Sequence, residues 1–190
     1  NAQLLDKHGA EAIITTCAGC YRTLVRDYQQ DPPEGYKDLL GNIFNAKVLH
    51  TMHLIEEMLR KGEIEFEGSL DKVVTYHDPC HLGRHCEVYD PPRNVLKAIP
   101  GVKLVEMRRS RQYSYCCAAG GGVRGAYPEY SLSVAADRVR EAESTGAEIL
   151  ACVCPFCWRN FTDAINNIGS KMKMMDITEI LVDLVKEKRK

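Results

Sequence analysis

Gly146-Ala-Glu-Ile-Leu-Ala-Cys-Val-Cys154-Pro-Phe-Cys157-Trp-Arg159 is the stretch that decides the fold, because the chain contains a second version of it. That version is Gly9-Ala-Glu-Ala-Ile-Ile-Thr-Thr-Cys17-Ala-Gly-Cys20-Tyr-Arg22. Gly, Ala, Glu, both cysteines, an aromatic and an arginine coincide without a gap. In each version a short apolar run leads into Cys-x-x-Cys, and a helical pattern follows. A buried strand running into a helix explains that order. Both sulfurs then sit at the carboxyl end of a strand, where open α/β sheets bind ligands. The free N–H groups and partial positive charge of the helix start favour thiolates, the metal-binding form of cysteine.

Outward from these two segments the pattern alternates. Strands are expected over 12–16, 47–50, 72–76, 102–106, 147–153 and 172–175. Helices are expected over 20–28, 52–61, from Pro91-Pro92 to about 99, 129–144, 156–167 and 177–188, with 62–71 a mixed connector. This β-then-α order predicts an α/β fold of two pseudo-repeated units, mostly parallel strands with flanking helices, the first unit incomplete. The boundaries expected are 1–66 for the C-terminal part of a first repeat and 67–190 for a complete second one. The chain opens without Met, as if in mid-helix, so residues upstream are expected. No basic–apolar–small order of a secretion signal is seen.

Nine cysteines in 190 residues, an odd number, make a secreted disulfide scaffold a poor reading and metal ligands or reactive thiols a better one. A formal net charge of −1 gives no basic face for nucleic acid. The longest apolar runs fall far short of the roughly 18 residues a membrane span needs. Neither Gly-x-Ser-x-Gly nor another nucleophile elbow is present, so hydrolysis has no support. Cys80 follows the strand at 72–76, in His77-Asp-Pro-Cys80-His-Leu-Gly-Arg84, and Cys116-Cys117 precedes Gly120-Gly-Gly122. Glycines there allow backbone to approach a bulky inorganic group and to point N–H donors at its sulfurs.

The order Cys80, Cys116-Cys117, Cys154-x-x-Cys157, with roughly thirty-odd residues in each gap, resembles the cysteine-rich "CCG" domain across essentially the whole chain. That domain occurs in the catalytic subunits of heterodisulfide reductases. It also occurs in iron–sulfur subunits of glycolate oxidase, lactate-utilisation and anaerobic glycerol-3-phosphate dehydrogenase systems, and in thiol:fumarate reductase. The resemblance implies that Cys80, Cys116, Cys117, Cys154 and Cys157 hold a 4Fe–4S cluster of the non-cubane type, with zinc as a substitute. Cys17 and Cys20 are further candidate ligands.

It also implies an oxidoreductase of anaerobic metabolism that passes electrons to a disulfide. Its partners would be redox subunits with ferredoxin-type clusters, flavin or haem. Its place would be the cytoplasm, or the membrane through a partner subunit. The alternatives are an electron-transfer subunit of a glycolate, lactate or glycerol-3-phosphate system, a zinc-bound structural module, and a metal-free dithiol on Cys154 and Cys157. No catalytic residue is assigned. The sequence departs from the family pattern at Ala118, where Gly is expected, and in a first copy that keeps only Cys17 and Cys20. Cys17 falls opposite Cys154, an offset of 137 positions, which puts the partners of the first pair upstream of Asn1.

The remaining residues divide by chemistry. His77, His81 and His85 crowd Cys80, and are read as hydrogen-bond donors to sulfur or backbone ahead of ligands. Arg84 is read either as a counter-charge to a thiolate-ligated cluster or as a surface ion pair. Cys86 and Cys152 are read as ordinary thiols. Tyr21, Trp158 and the methionines at 172, 174 and 175 are read as core.

Overall fold

The structure is a computed structural model that describes residues 1–35 and 46–187. Its main sheet has four parallel strands in the order β5-β4-β6-β7, formed by Lys103–Val105, Val73–Tyr76, Ile149–Cys152 and Lys173–Asp176. β6, Ile-Leu-Ala-Cys, is buried at every position, as a continuous apolar run in the middle of a parallel sheet must be. The edge strand β7 is only half-buried. A second, two-stranded parallel sheet pairs β1 (Ala12–Thr15) with β2 (Lys47–His50).

Helices connect the parallel strands. α4 (Asp90–Ala98) links β4 to β5, α6 (Pro128–Glu143) leads towards β6, and α7 (Pro155–Ile168) links β6 to β7. Pro91 and Pro92 lie in the first turn of α4, where their missing N–H groups cost nothing. The other helices are α1 (Ala2–Lys7), α2 (Ala18–Arg22), α3 (Thr51–Lys61), α5 (Val123–Ala126) and α8 (Ile177–Val182).

The internal repeat is structural. Among the described residues, β1–α2–β2–α3, with α2 running on into a π-helix, has the same order of elements as β6–α7–β7–α8, and β1 pairs parallel with β2 as β6 does with β7. The last helix of each unit opens on a capping box, His50 with His53 in one and Asp176 with Glu179 in the other. The expected α/β class with mostly parallel strands is what forms.

Three expectations need correction. The connector 62–71 contains a strand, β3 (Ile64–Phe66). The helix expected over 177–188 stops at Val182, and Val185–Glu187 forms β8 antiparallel to β3, with Phe66 opposite Val185. An open strand edge supplies backbone partners that outcompete a last, largely polar helical turn. The helix expected over 20–28 starts at Ala18 and continues as a π-helix over Thr23–Gln30. Its Arg22–Asp27 ion pair (2.5 Å) and the Asp31 N–H to Arg26 carbonyl bond both have the five-residue spacing of that geometry. Among the described residues no helix is long and apolar enough to cross a membrane.

Candidate metal centre

Parallel pairing sends the ends of β4, β5 and β6 to the same edge of the sheet, and these three strands are neighbours. Cys80 lies in the turn just after β4, Cys116 and Cys117 in the loop after β5, and Cys154 and Cys157 after β6. Cys154 is the N-cap of α7 and Cys157 is in its first turn. The topology therefore brings five cysteines from three loops to one place. A cavity of about 1070 Å³ opens there, lined by all five and also by Cys17 and Cys20. Its volume is that of a small-molecule site.

The five sulfurs form a chain of interacting neighbours, in the order Cys80, Cys116, Cys117, Cys157, Cys154. Cys157 and Cys117 are 3.2 Å apart, sulfur to sulfur. Crowding so many thiols makes their protons unequal. Cys116 is drawn down to about 2, chiefly through the neighbouring Cys117 and then Cys80 thiols. Those neighbours shift the other way: Cys117 is pushed up to about 12 by Cys116, and Cys80 rises through Cys116 and burial. Cys154 falls to about 7, first through Cys157, with backbone amides at the start of α7 and at Ala18 assisting. The lowered pKa values of Cys116 and Cys154 favour the thiolate, the metal-binding form, at those two positions.

Cys17 is the N-cap of α2, and its sulfur accepts from the Cys20 N–H (3.4 Å). Burial raises its pKa. Cys86 is half-buried, Cys152 is buried, and neither lines the cavity. The Cys152 thiol donates to the Cys154 carbonyl (3.6 Å).

The loop after β5 is held by residues that the sequence reading did not single out. Asp78, just before Pro79-Cys80, accepts two bonds from Arg93 (2.6 and 2.9 Å) and one from the Arg111 N–H (2.7 Å). Arg93 also grips Glu106, at the end of β5. Arg138 donates to the Arg109 carbonyl, Ser114 Oγ and Glu141. Asn160 donates to the Cys117 carbonyl and Ser131 Oγ, while Ser131 Oγ donates to the Ala118 carbonyl. One signal was available: Ser131, Ala135, Arg138 and Ala142 fall on one buried stripe of α6, and an arginine on such a stripe needs internal partners.

Among the described residues Arg84 forms no ion pair. It donates to the carbonyls of Gln112 and Ser114, clamping the approach to Cys116. His81 lines the cavity and stacks edge-on against His85. A Cβ at Gly19, between Cys17 and Cys20, would lie 3.3 Å from His81 Nδ1. His77 is buried, and burial followed by the Arg138 charge lowers its pKa. A ring nitrogen of His77 and the sulfurs of Cys117 and Cys157 all lie within 4.8 Å of one another.

The donor set fits an iron–sulfur centre. Five thiols on one wall suit thiolate-ligated iron, and no carboxylate lines the cavity among the described residues, whereas Arg124 and Arg159 do. Gly121 and Gly122 have φ of +63° and +80°, and Cβ atoms on Gly120, Gly121 and Gly122 would meet nothing within 4 Å. The backbone beside the sulfurs therefore borders open space. Ala118 sits at φ +58°, which explains why glycine suits that position.

Comparison with known proteins agrees with this geometry. Residues 1–25 and 74–162 match the family described as CCG, "Cysteine-rich domain", and the chain belongs to that family. It is 42% identical over 177 residues to one component of the dihydromethanophenazine:CoB–CoM heterodisulfide reductase of Methanosarcina acetivorans, covering 93% of this chain and 41% of the relative. A probable iron-sulfur-binding oxidoreductase, FadF, of Bacillus subtilis is 32% identical over 187 residues (97% and 25%). One component of the fumarate reductase (CoM/CoB) of Methanothermobacter marburgensis is 34% identical over 174 residues (91% and 32%). The chain thus spans less than half the length of each of these relatives.

Proposed function

We propose that this chain is the cluster-bearing part of an iron–sulfur oxidoreductase subunit. Cys80, Cys116, Cys117, Cys154 and Cys157 would hold one 4Fe–4S cluster of the non-cubane type. The observation that carries the reading is the convergence of five cysteines from the ends of three neighbouring strands on one cavity, with the Cys117 and Cys157 sulfurs 3.2 Å apart. When bound, such a cluster supplies one-electron transfer at a potential set by charge, hydrogen bonds and burial.

The rest of the work belongs to the chain's own residues. Asp78, Arg93 and Arg84 fix the loops that present Cys80 and Cys116–Cys117. Arg124 and Arg159 offset the negative charge of a thiolate-ligated group. The space left beside the sulfurs, bounded by Cys17, Cys20 and His81, would admit a disulfide. The names of the relatives favour a disulfide acceptor, with electrons delivered by other redox subunits. Residues 1–66 are read as the C-terminal part of a first CCG copy and 67–190 as a complete second copy. Cys17 and Cys20 would belong to the first copy, and they line the same cavity.

A zinc module is the second reading, favoured by the close grouping of His77, Cys117 and Cys157. Tetrahedral zinc takes four ligands and leaves at least one of the five sulfurs idle. Metal analysis of anaerobically purified protein separates the two. Iron with acid-labile sulfide and a brown colour supports the proposal; a colourless protein with one zinc contradicts it. With iron present, disulfide reduction by a strong artificial donor is expected only in an assembly that supplies a second centre, and an electron-transfer role alone would show no such turnover in any assembly.

A further inference from the structure

His77 is buried in full, three residues before Cys80, yet it does not line the cavity. Its Nδ1 accepts from Arg138 Nε at 3.4 Å. A guanidinium N–H only donates, so the ring's own proton must be on Nε2. Phe161, also buried in full, packs edge-on against the ring at 4.7 Å between centroids. Among the described residues Nε2 has no hydrogen-bond partner. A buried donor left unpaired costs about 1–3 kcal/mol, so a partner for it is expected. Candidates are the sulfurs of Cys117 and Cys157, within 4.8 Å of a ring nitrogen.

We propose that His77 is a positioning residue that donates its Nε2 proton to sulfur of the iron–sulfur centre and so sets that centre's reduction potential. This rests on the proposed function above. Arg138 serves as the orienting group, fixing the tautomer in the way that outer groups fix ligand histidines at metal sites. A hydrogen bond to sulfur stabilises the more negatively charged, reduced centre. Removing it therefore lowers the potential.

The test uses the anaerobically reconstituted chain. His77→Leu keeps the volume against Phe161 and removes the proton; His77→Gln restores an N–H donor near the Nε2 position. His77→Leu should retain its iron. At any fixed ambient potential its reduced-to-oxidised ratio should fall about tenfold, equivalent to about 59 mV for a one-electron couple. His77→Gln should recover most of that loss, which a merely structural role would not produce. In the unaltered reduced protein, pulsed EPR should show an exchangeable proton coupling that disappears after reconstitution in D2O, with no directly coordinated nitrogen.

An unchanged potential in iron-replete His77→Leu would overturn the proposal. So would a strong nitrogen coupling, which would make His77 a ligand. If His77→Leu does not fold, the proton and nitrogen couplings of the unaltered protein decide alone. An unaltered protein that binds no iron would instead remove the proposed function, and this inference with it.

Discussion

Replacing Asp78 with asparagine removes one charge from a pair whose side chains are each 2% exposed. The carboxylate takes three donors, two from Arg93 and the Arg111 N–H. Asparagine keeps the shape and one acceptor oxygen, but turns an NH2 towards groups that are themselves donors. Among the described residues Arg93 then retains only Glu106 as an anionic partner, and that side chain is 41% exposed. Breaking a buried pair by removing one partner costs about 3–5 kcal/mol. The remaining Glu106 contact places Asp78→Asn at the lower end, about 3 kcal/mol. In a chain of this size each kcal/mol moves Tm by about 2–4 °C, so a fall of about 6–12 °C is expected by circular dichroism. Iron loading should fall as well, because the Arg111–Asp78 bond ties the loop carrying Cys116 to the turn carrying Cys80. A Tm within about 1 °C of the parent would refute the view that this pair anchors the site.

Three further outcomes follow from the same geometry. Ala118→Gly relieves a left-handed residue and should leave stability unchanged or raise it by up to about 1 kcal/mol in denaturant melts; a clear loss would show that the strain is absent. In the metal-free chain Cys116 is a thiolate far into acid, since a lowered pKa keeps the deprotonated form down to that pH. Mass spectrometry should therefore find it alkylated first by iodoacetamide at about pH 5.5, whereas labelling that begins only near the ordinary thiol range would contradict the assignment. Arg84→Met should shorten the time a chelator needs to strip iron, with little change in Tm, because its bonds to Gln112 and Ser114 hold the cysteine loop and little else. Equal stripping times would assign Arg84 no part in the site.

What was legible in the sequence was local. The repeated Gly-Ala-Glu to Cys-x-x-Cys segment announces a strand entering a helix, and Ile149–Cys152 carries the unbroken apolar run of a central parallel strand. Cys80, Cys116-Cys117 and Cys154-x-x-Cys157 are each marked by a neighbouring strand end or glycine turn. What was illegible depends on partners distant in sequence. β8 exists because β3 offers an edge over a hundred residues earlier, and no window around Val185 contains that fact. Asp78, Arg93 and Glu106 meet from the ends of β4, α4 and β5, so their pairing appears only once those strands are adjacent. Arg84 reads from sequence as a charge, and its hydrogen bonds to the Gln112 and Ser114 carbonyls appear only in the structure.

Iron counted per chain after anaerobic reconstitution, on the parent and on two single variants, tests the central claim most directly. Cys117 lies within the sulfur chain. Cys152 is buried two residues from Cys154, lies outside the cavity lining and donates its thiol proton to the Cys154 carbonyl. The parent and Cys152→Ser should each bind about four irons with matching sulfide, and Cys117→Ser should lose most of them. Equal iron in all three, or loss in Cys152→Ser with retention in Cys117→Ser, would contradict the assignment of the five cysteines to one centre.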